Sequence, residues 1–138
     1  MSGMDQGLSN PSLRALIIDG DRVSREYLEL VLHHAGYNVR TAFQASVAFR
    51  TMESFRPELV LIATDFSESG GFSVLRKLID IARRLKFEPR CVMLSREERS
   101  YEREQAASAG ALDYVVKPVQ PGRLRRRLHE VMRQEALV

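Results

Sequence analysis

The chain has a single cysteine, three lysines and no long apolar run. One thiol, Cys91, forms neither an internal disulfide nor a cysteine-only metal site, and its place in an apolar stretch reads as a small core residue. No segment approaches the ~20 apolar residues of a membrane helix. The opening MSGMDQGLSNPS lacks the apolar centre of a signal peptide, so a cytoplasmic protein is expected. There is no GxGxxG, P-loop, RNP motif or zinc-finger spacing, which argues against the common nucleotide-dependent enzymes and nucleic-acid readers. Adjacent His33 and His34 cannot both face one metal from a helix and read as ordinary helix-end residues. Internal repeats and low-complexity tracts are also missing.

What remains is 138 residues, 44% hydrophobic and 28% charged, which suits one domain with its own core. The net charge is +3, carried by 18 arginines. The excess gathers late, with six basic residues and one acid, Glu130, between Lys117 and Arg133. A solvated helix face is the ordinary account of such a run.

Residues 1–11 are polar, close on Pro11 and are expected to form a disordered tail, with the domain occupying 12–138. Leu13 to Ile18 reads as a buried strand ending at Asp19-Gly20-Asp21. From Val23, apolar residues at 27, 28, 31, 32 and 35 recur at helical spacing, and Gly36 is placed as a left-handed stop. Tyr37 to Ala42 resembles an edge strand. Ala45, Ala48, Phe49, Met52 and Phe55 mark a second helix, ended before Pro57.

Leu59-Val60-Leu61-Ile62-Ala63 carries no polar side chain and reads as a strand covered on both faces. A polar loop and a Gly70-Gly71 pair then lead to a third helix, marked by Val74, Leu75, Leu78, Ile79, Ala82 and Leu85. Cys91 to Ser95 is a fourth strand. Arg99 to Ser108 suits a helix but offers little beyond Tyr101 and alanines, so weak anchoring and mobility are expected there. Leu112 to Val116 is the fifth strand. Pro121 opens a last helix with an inner stripe of Leu124, Leu128, Val131 and Met132, and no output module is expected beyond it.

Five strands alternating with five helices predict an α/β fold, a doubly wound parallel sheet with right-handed crossovers. Periodicity does not fix the strand order; 2-1-3-4-5, the flavodoxin-like order, is one of two common ones. In such sheets the working surface lies at the carboxyl ends of the strands.

The residues at those ends, Asp19-Gly20-Asp21, Ala63-Thr64-Asp65, Ser95-Arg96 and Lys117-Pro118, carry a resemblance. LIIDGDRVSREYLELVLHHAGYNV, PELVLIATDFSESGGFSVLRKL, VMLSRE and GALDYVVKP are similar, in order and spacing, to the four signatures of the receiver domain of two-component response regulators. The resemblance covers about residues 13 to 135 and implies the 2-1-3-4-5 order. It also implies a site in which an aspartate after the third strand accepts a phosphoryl group. Two acids after the first strand help hold Mg²⁺ there, and a hydroxyl and a lysine contact the phosphoryl oxygens. Asp19 matches the first acid, Ser95 the hydroxyl (an inert small residue being the favoured reading of it, a functioning switch hydroxyl the alternative) and Lys117 the lysine. Tyr114 matches the aromatic that changes rotamer on activation. The resemblance also implies a cis Lys117-Pro118 bond.

Two matches fail. The second acid is Gly20, and the phosphoacceptor position is Ala63, whose methyl group cannot take a phosphoryl group. The chain therefore resembles a pseudo-receiver, with no cofactor and no enzymatic activity expected. A displaced site built from Asp19, Asp21 and Asp65, with Asp65 as phosphoacceptor and Mg²⁺ as its metal, is the alternative. If the third strand continued, Asp65 would share the side of Ala63 but lie ~6–7 Å farther out. In the favoured reading Lys117, lacking a nucleophile to hold, pairs with Asp19 or Asp65.

Three functions follow. The first is phosphorylation-independent docking of a protein partner, or of a second copy, on the face of the fourth helix, fifth strand and fifth helix. Tyr114, Arg96, Tyr101 and the last helix's arginines would make the contacts. The second is phosphoacceptance at Asp65. The third, disfavoured by the modest net charge, is binding of nucleic acid or another acidic surface through Arg123, Arg125, Arg126, Arg127 and Arg133.

Overall fold

The structure, a computed structural model, describes residues 12–134. The expected tail at 1–11 and the last four residues of the domain lie outside the described residues. At the centre is β3, Leu59–Ala63, in which all five residues are fully buried. Apolar side chains pointing alternately up and down require cover on both faces. The sheet supplies it as a middle layer, with strand order β2-β1-β3-β4-β5 and all four pairings parallel. β1 is Arg14–Ile18, β2 Asn38–Ala42, β4 Arg90–Ser95 and β5 Asp113–Val116.

Five helices follow the strands in turn: α1 Arg22–His34, α2 Ala45–Phe55, α3 Gly71–Arg84, α4 Ser100–Ala109 and α5 Pro121–Arg133. α2, α3 and α4 cover one face, where Met52, Leu75, Leu78 and Ala106 pack on Leu16, Val60, Ile62 and Met93. α1 and α5 cover the other, where Leu28, Leu32, Leu124 and Leu128 pack on Ile17, Leu61 and Val92. Among the described residues no helix is long and apolar enough to cross a membrane.

Helix boundaries follow local chemistry. Gly36, at φ +96°, and Gly110, at φ +108°, supply the left-handed stops of α1 and α4. Pro121 occupies the first turn of α5. α3 begins three residues earlier than the apolar period from Val74 implied, because its first turn is fixed by backbone rather than by side-chain burial. The Gly71 N–H donates to the Thr64 carbonyl at 2.8 Å. A Cβ on Gly71 would meet the Ala63 carbonyl oxygen at 2.1 Å, so only glycine lets the helix start this close to the end of β3.

α4 buries only Glu102, Ala106 and Ala109. That inner face is as poor in large apolar groups as the sequence implies, and a carboxylate sits on it.

Candidate functional site

The carboxyl ends of β1, β3, β4 and β5 meet at one edge of the sheet, and the residues singled out by sequence stand around it. Asp19 directly follows β1 and its side chain is only 2% exposed. Such a buried carboxylate needs partners, and it has three. Lys117 Nζ donates to Oδ2 at 2.9 Å, the Ser24 hydroxyl donates to the same oxygen at 2.7 Å, and the Asp21 N–H donates to Oδ1 at 3.0 Å. Lys117 Nζ also reaches Ser24 Oγ at 3.0 Å. Lys117 therefore pairs with Asp19 and not with Asp65. The Lys117-Pro118 bond is cis.

The displaced three-acid site does not form. Its premise was that β3 runs on through Asp65, but the chain turns at once. The Thr64 N–H donates to the Leu94 carbonyl, and the Phe66 N–H folds back to the Ala63 carbonyl at 3.2 Å. Phe66 is thereby buried and Asp65 is turned to solvent. Arg96 lies between the two remaining acids, its Nε 3.4 Å from Asp65 Oδ2 and its Nη2 3.9 Å from Asp21 Oδ2. Asp19 is held by a lysine and Asp21 and Asp65 by an arginine; among the described residues no three acids, histidines or cysteines converge on a metal position.

Mg²⁺ takes oxygen ligands in strict octahedral geometry, and the residues here do not fit it. Gly20 and Ala63 offer no side-chain oxygen, and the coordinating face of Asp19 is taken by an ammonium and a hydroxyl. Gly20 has open space around the position of a Cβ, so the missing acid there leaves room rather than a filled replacement.

Ser95 is neither free to face the site nor inert. Its hydroxyl donates to Glu102 Oε1 at 2.7 Å, and its oxygen accepts the Glu97 N–H at 3.3 Å. The Tyr114 hydroxyl lies 2.6 Å from the same Glu102 oxygen and 2.8 Å from the Glu97 carbonyl. Tyr114 is 2% exposed, and burial, followed by its bond to Glu102, pushes the phenol pKa up. One buried carboxylate thus joins the hydroxyl after β4 to the aromatic of β5. Glu102 was missed by sequence reasoning, although a signal existed. Residues 102, 106 and 109 share one helix face, so the two buried alanines put the acid inward with them.

Of the residues expected on the docking face, Tyr114 is under the surface rather than on it, while Arg96, its side chain 64% exposed, reaches toward Asp21 and Asp65. Tyr101 is 59% exposed on α4 and available for contact. On α5, Arg123, Arg125, Arg126 and Arg133 are exposed. Arg127 is held by Asp113 in a two-pronged pair at 2.8 and 2.6 Å, which raises its pKa further.

Comparison with known proteins gives a consistent result. The family model described as the response regulator receiver domain matches residues 15–129. The chain is 30% identical over 131 residues to the transcriptional regulatory protein PrrA of Mycobacterium leprae, covering 95% of this chain and 54% of that protein. It is 32% identical over 126 residues to the response regulator MprA of Mycobacterium ulcerans, covering 91% and 53%. The chain thus spans about half the length of the curated relatives it matches. Among solved structures, chemotaxis protein CheY4 of Vibrio cholerae superposes with a TM-score of 0.80 at 23% identity, over 88% of this chain and 99% of that one. A response regulator from Thermotoga maritima gives 0.79 at 20% identity, over 90% and 100%. At those identities the structural likeness is one of fold.

Proposed function

The chain belongs to the response regulator receiver-domain family, and from that premise we propose that it is a pseudo-receiver in two-component signalling, transmitting by protein contact without being phosphorylated. The observation that carries this reading is the side chain at the end of β3, the Ala63 methyl, which has no electron pair to offer phosphorus. The ion pair beside it supports the same reading. Lys117, which in relatives would meet a phosphoryl oxygen, is already neutralised by Asp19 at 2.9 Å.

A receiver that switches must have two states separated by a ligand with differential affinity. Here the groups that would respond are bonded to one another, Lys117 to Asp19 and Ser24, and Ser95 and Tyr114 to Glu102. The domain then presents one constant surface, on α4, β5 and α5, to a protein partner or a second copy. In this reading it needs no cofactor, catalyses no reaction of its own, reads no nucleic acid and works in the cytoplasm.

The test is an NMR titration of the labelled protein with Mg²⁺ and beryllofluoride, which mimics a phosphoryl group on a carboxylate. Amide signals around Asp19, Asp65 and Lys117 should stay in place. Saturable shifts gathered there would refute the proposal and favour a phosphoacceptor at Asp65.

A further inference from the structure

Between the start of α1 and the turn after β5 lies a groove of about 770 Å³. Small-molecule sites commonly measure roughly 300–1,000 Å³ and are chiefly apolar, with a few placed polar groups. One wall is α1, with Val23, Tyr27 and Leu28; the other is the turn, with Pro118, Val119 and Pro121. The walls are tied together, because the Tyr27 hydroxyl donates to the Val119 carbonyl at 2.6 Å. That bond fixes their separation and satisfies both polar groups. Neither proline has an N–H to give, so water in this part of the groove finds few partners.

The groove's charged groups, Asp21, Arg96 and Lys117, stand toward the carboxyl edge of the sheet. Each is already answered within the chain. Lys117 Nζ is held by Asp19 at 2.9 Å, and Arg96 stands 3.9 Å from Asp21 and 3.4 Å from Asp65. A charged ligand would have to compete with one of these pairs, whereas an uncharged one only displaces water from apolar walls. We propose that this groove binds an uncharged, apolar small molecule whose rings pack on Tyr27 and the two prolines. The site lies beside the Ala63 position without using it, so the proposal goes beyond the pseudo-receiver reading and does not rest on it. Bound there, the ligand becomes part of the surface next to Lys117, an input that requires no phosphoryl transfer.

Titration of the whole chain with phenylnaphthylamine, an uncharged apolar dye whose fluorescence rises out of water, tests this, with the anionic dye anilinonaphthalene sulfonate beside it. Phenylnaphthylamine should bind saturably, one molecule per chain, and more tightly than the sulfonate. Amide shifts in NMR spectra should gather at Val23, Tyr27 and Val119. Val23 is exposed, so Val23→Glu keeps the fold while setting an ionised carboxylate on the groove wall. A bound apolar molecule would strip water from that charge, and affinity should fall by about tenfold or more. Leu30→Glu, also on the exposed side of α1 but outside the groove, should leave affinity unchanged. Absence of saturable binding, or tighter binding of the sulfonate, would overturn the proposal. So would an equal loss in Leu30→Glu, which would put the dye on the open face of α1 as a protein-docking stripe. Failure here is separable from failure of the earlier reading. A domain silent to beryllofluoride that ignores the dye loses only the small-molecule site, whereas one that binds the dye in the groove and responds to beryllofluoride keeps this site and loses the pseudo-receiver reading.

Discussion

Replacing Lys117 with methionine keeps the length of the side chain and removes the charge. Asp19 would then be a carboxylate 2% exposed, left with the Ser24 hydroxyl at 2.7 Å and the Asp21 N–H at 3.0 Å. Breaking a buried ion pair from one side costs about 3–5 kcal/mol, because the remaining charge is stranded away from water. The two surviving hydrogen bonds put Lys117→Met at the lower end, about 3 kcal/mol. With a urea m-value of about 2 kcal/mol per molar, the unfolding midpoint should fall by about 1.5 M. Asp19→Asn should cost less, since Lys117 is 13% exposed and can turn its ammonium toward water. The double variant should recover about 1–2 kcal/mol relative to the sum of the two single changes. Urea melts of all four proteins, followed by circular dichroism, give the cycle. A loss below about 1 kcal/mol for Lys117→Met, or strict additivity in the double variant, would refute the claim that this pair is what holds the pocket.

Three further outcomes are expected. Gly71→Ala should destabilise the fold by about 3 kcal/mol or prevent folding, because its Cβ would sit 2.1 Å from a backbone oxygen that cannot step aside; a melt close to wild type would refute that close approach. Glu102→Ala should cost about 2–3 kcal/mol by stranding the Ser95 and Tyr114 hydroxyls, while Glu102→Gln, which keeps an accepting oxygen, should cost about 1 kcal/mol or less; equal losses in thermal melts would speak against the network. Stability should also decline on the alkaline side. Burial pushes the Cys91 thiol from 9.0 up to about 12 and raises the Tyr114 phenol above 10.0, so the unfolded chain ionises first. The contribution is fully present below pH 9.0 and is lost as pH climbs from there toward about 12. Urea midpoints should drop across that window, less so in Cys91→Ala, and a flat profile would contradict the assignment.

The fold was legible because burial dictates it: a five-residue apolar strand admits only a middle position with helices on both faces. Helix ends were less legible, and α3 shows why. Its start is set by a contact of Gly71 with the backbone of β3, which leaves no apolar period in Gly71-Phe72-Ser73. The gaps at Gly20 and Ala63 could be read directly, as could the need of Lys117 for an acid. Which acid it takes could not, since the choice depends on a turn closed by the Phe66 N–H that buries Phe66 and expels Asp65. The burial of Tyr114, expected among the residues that would contact a partner, was not legible for a similar reason. It is tied to Glu102, twelve residues earlier on a helix whose sparse apolar content drew attention away from it.

The central claim is that the end of β3 accepts nothing. Intact-protein mass spectrometry after incubation with acetyl phosphate and Mg²⁺, run on wild type and Asp65→Asn, tests it most directly. Both proteins should retain their unmodified mass. A phosphoryl adduct on wild type that disappears in Asp65→Asn would contradict the claim and return the domain to the phosphorylated receivers.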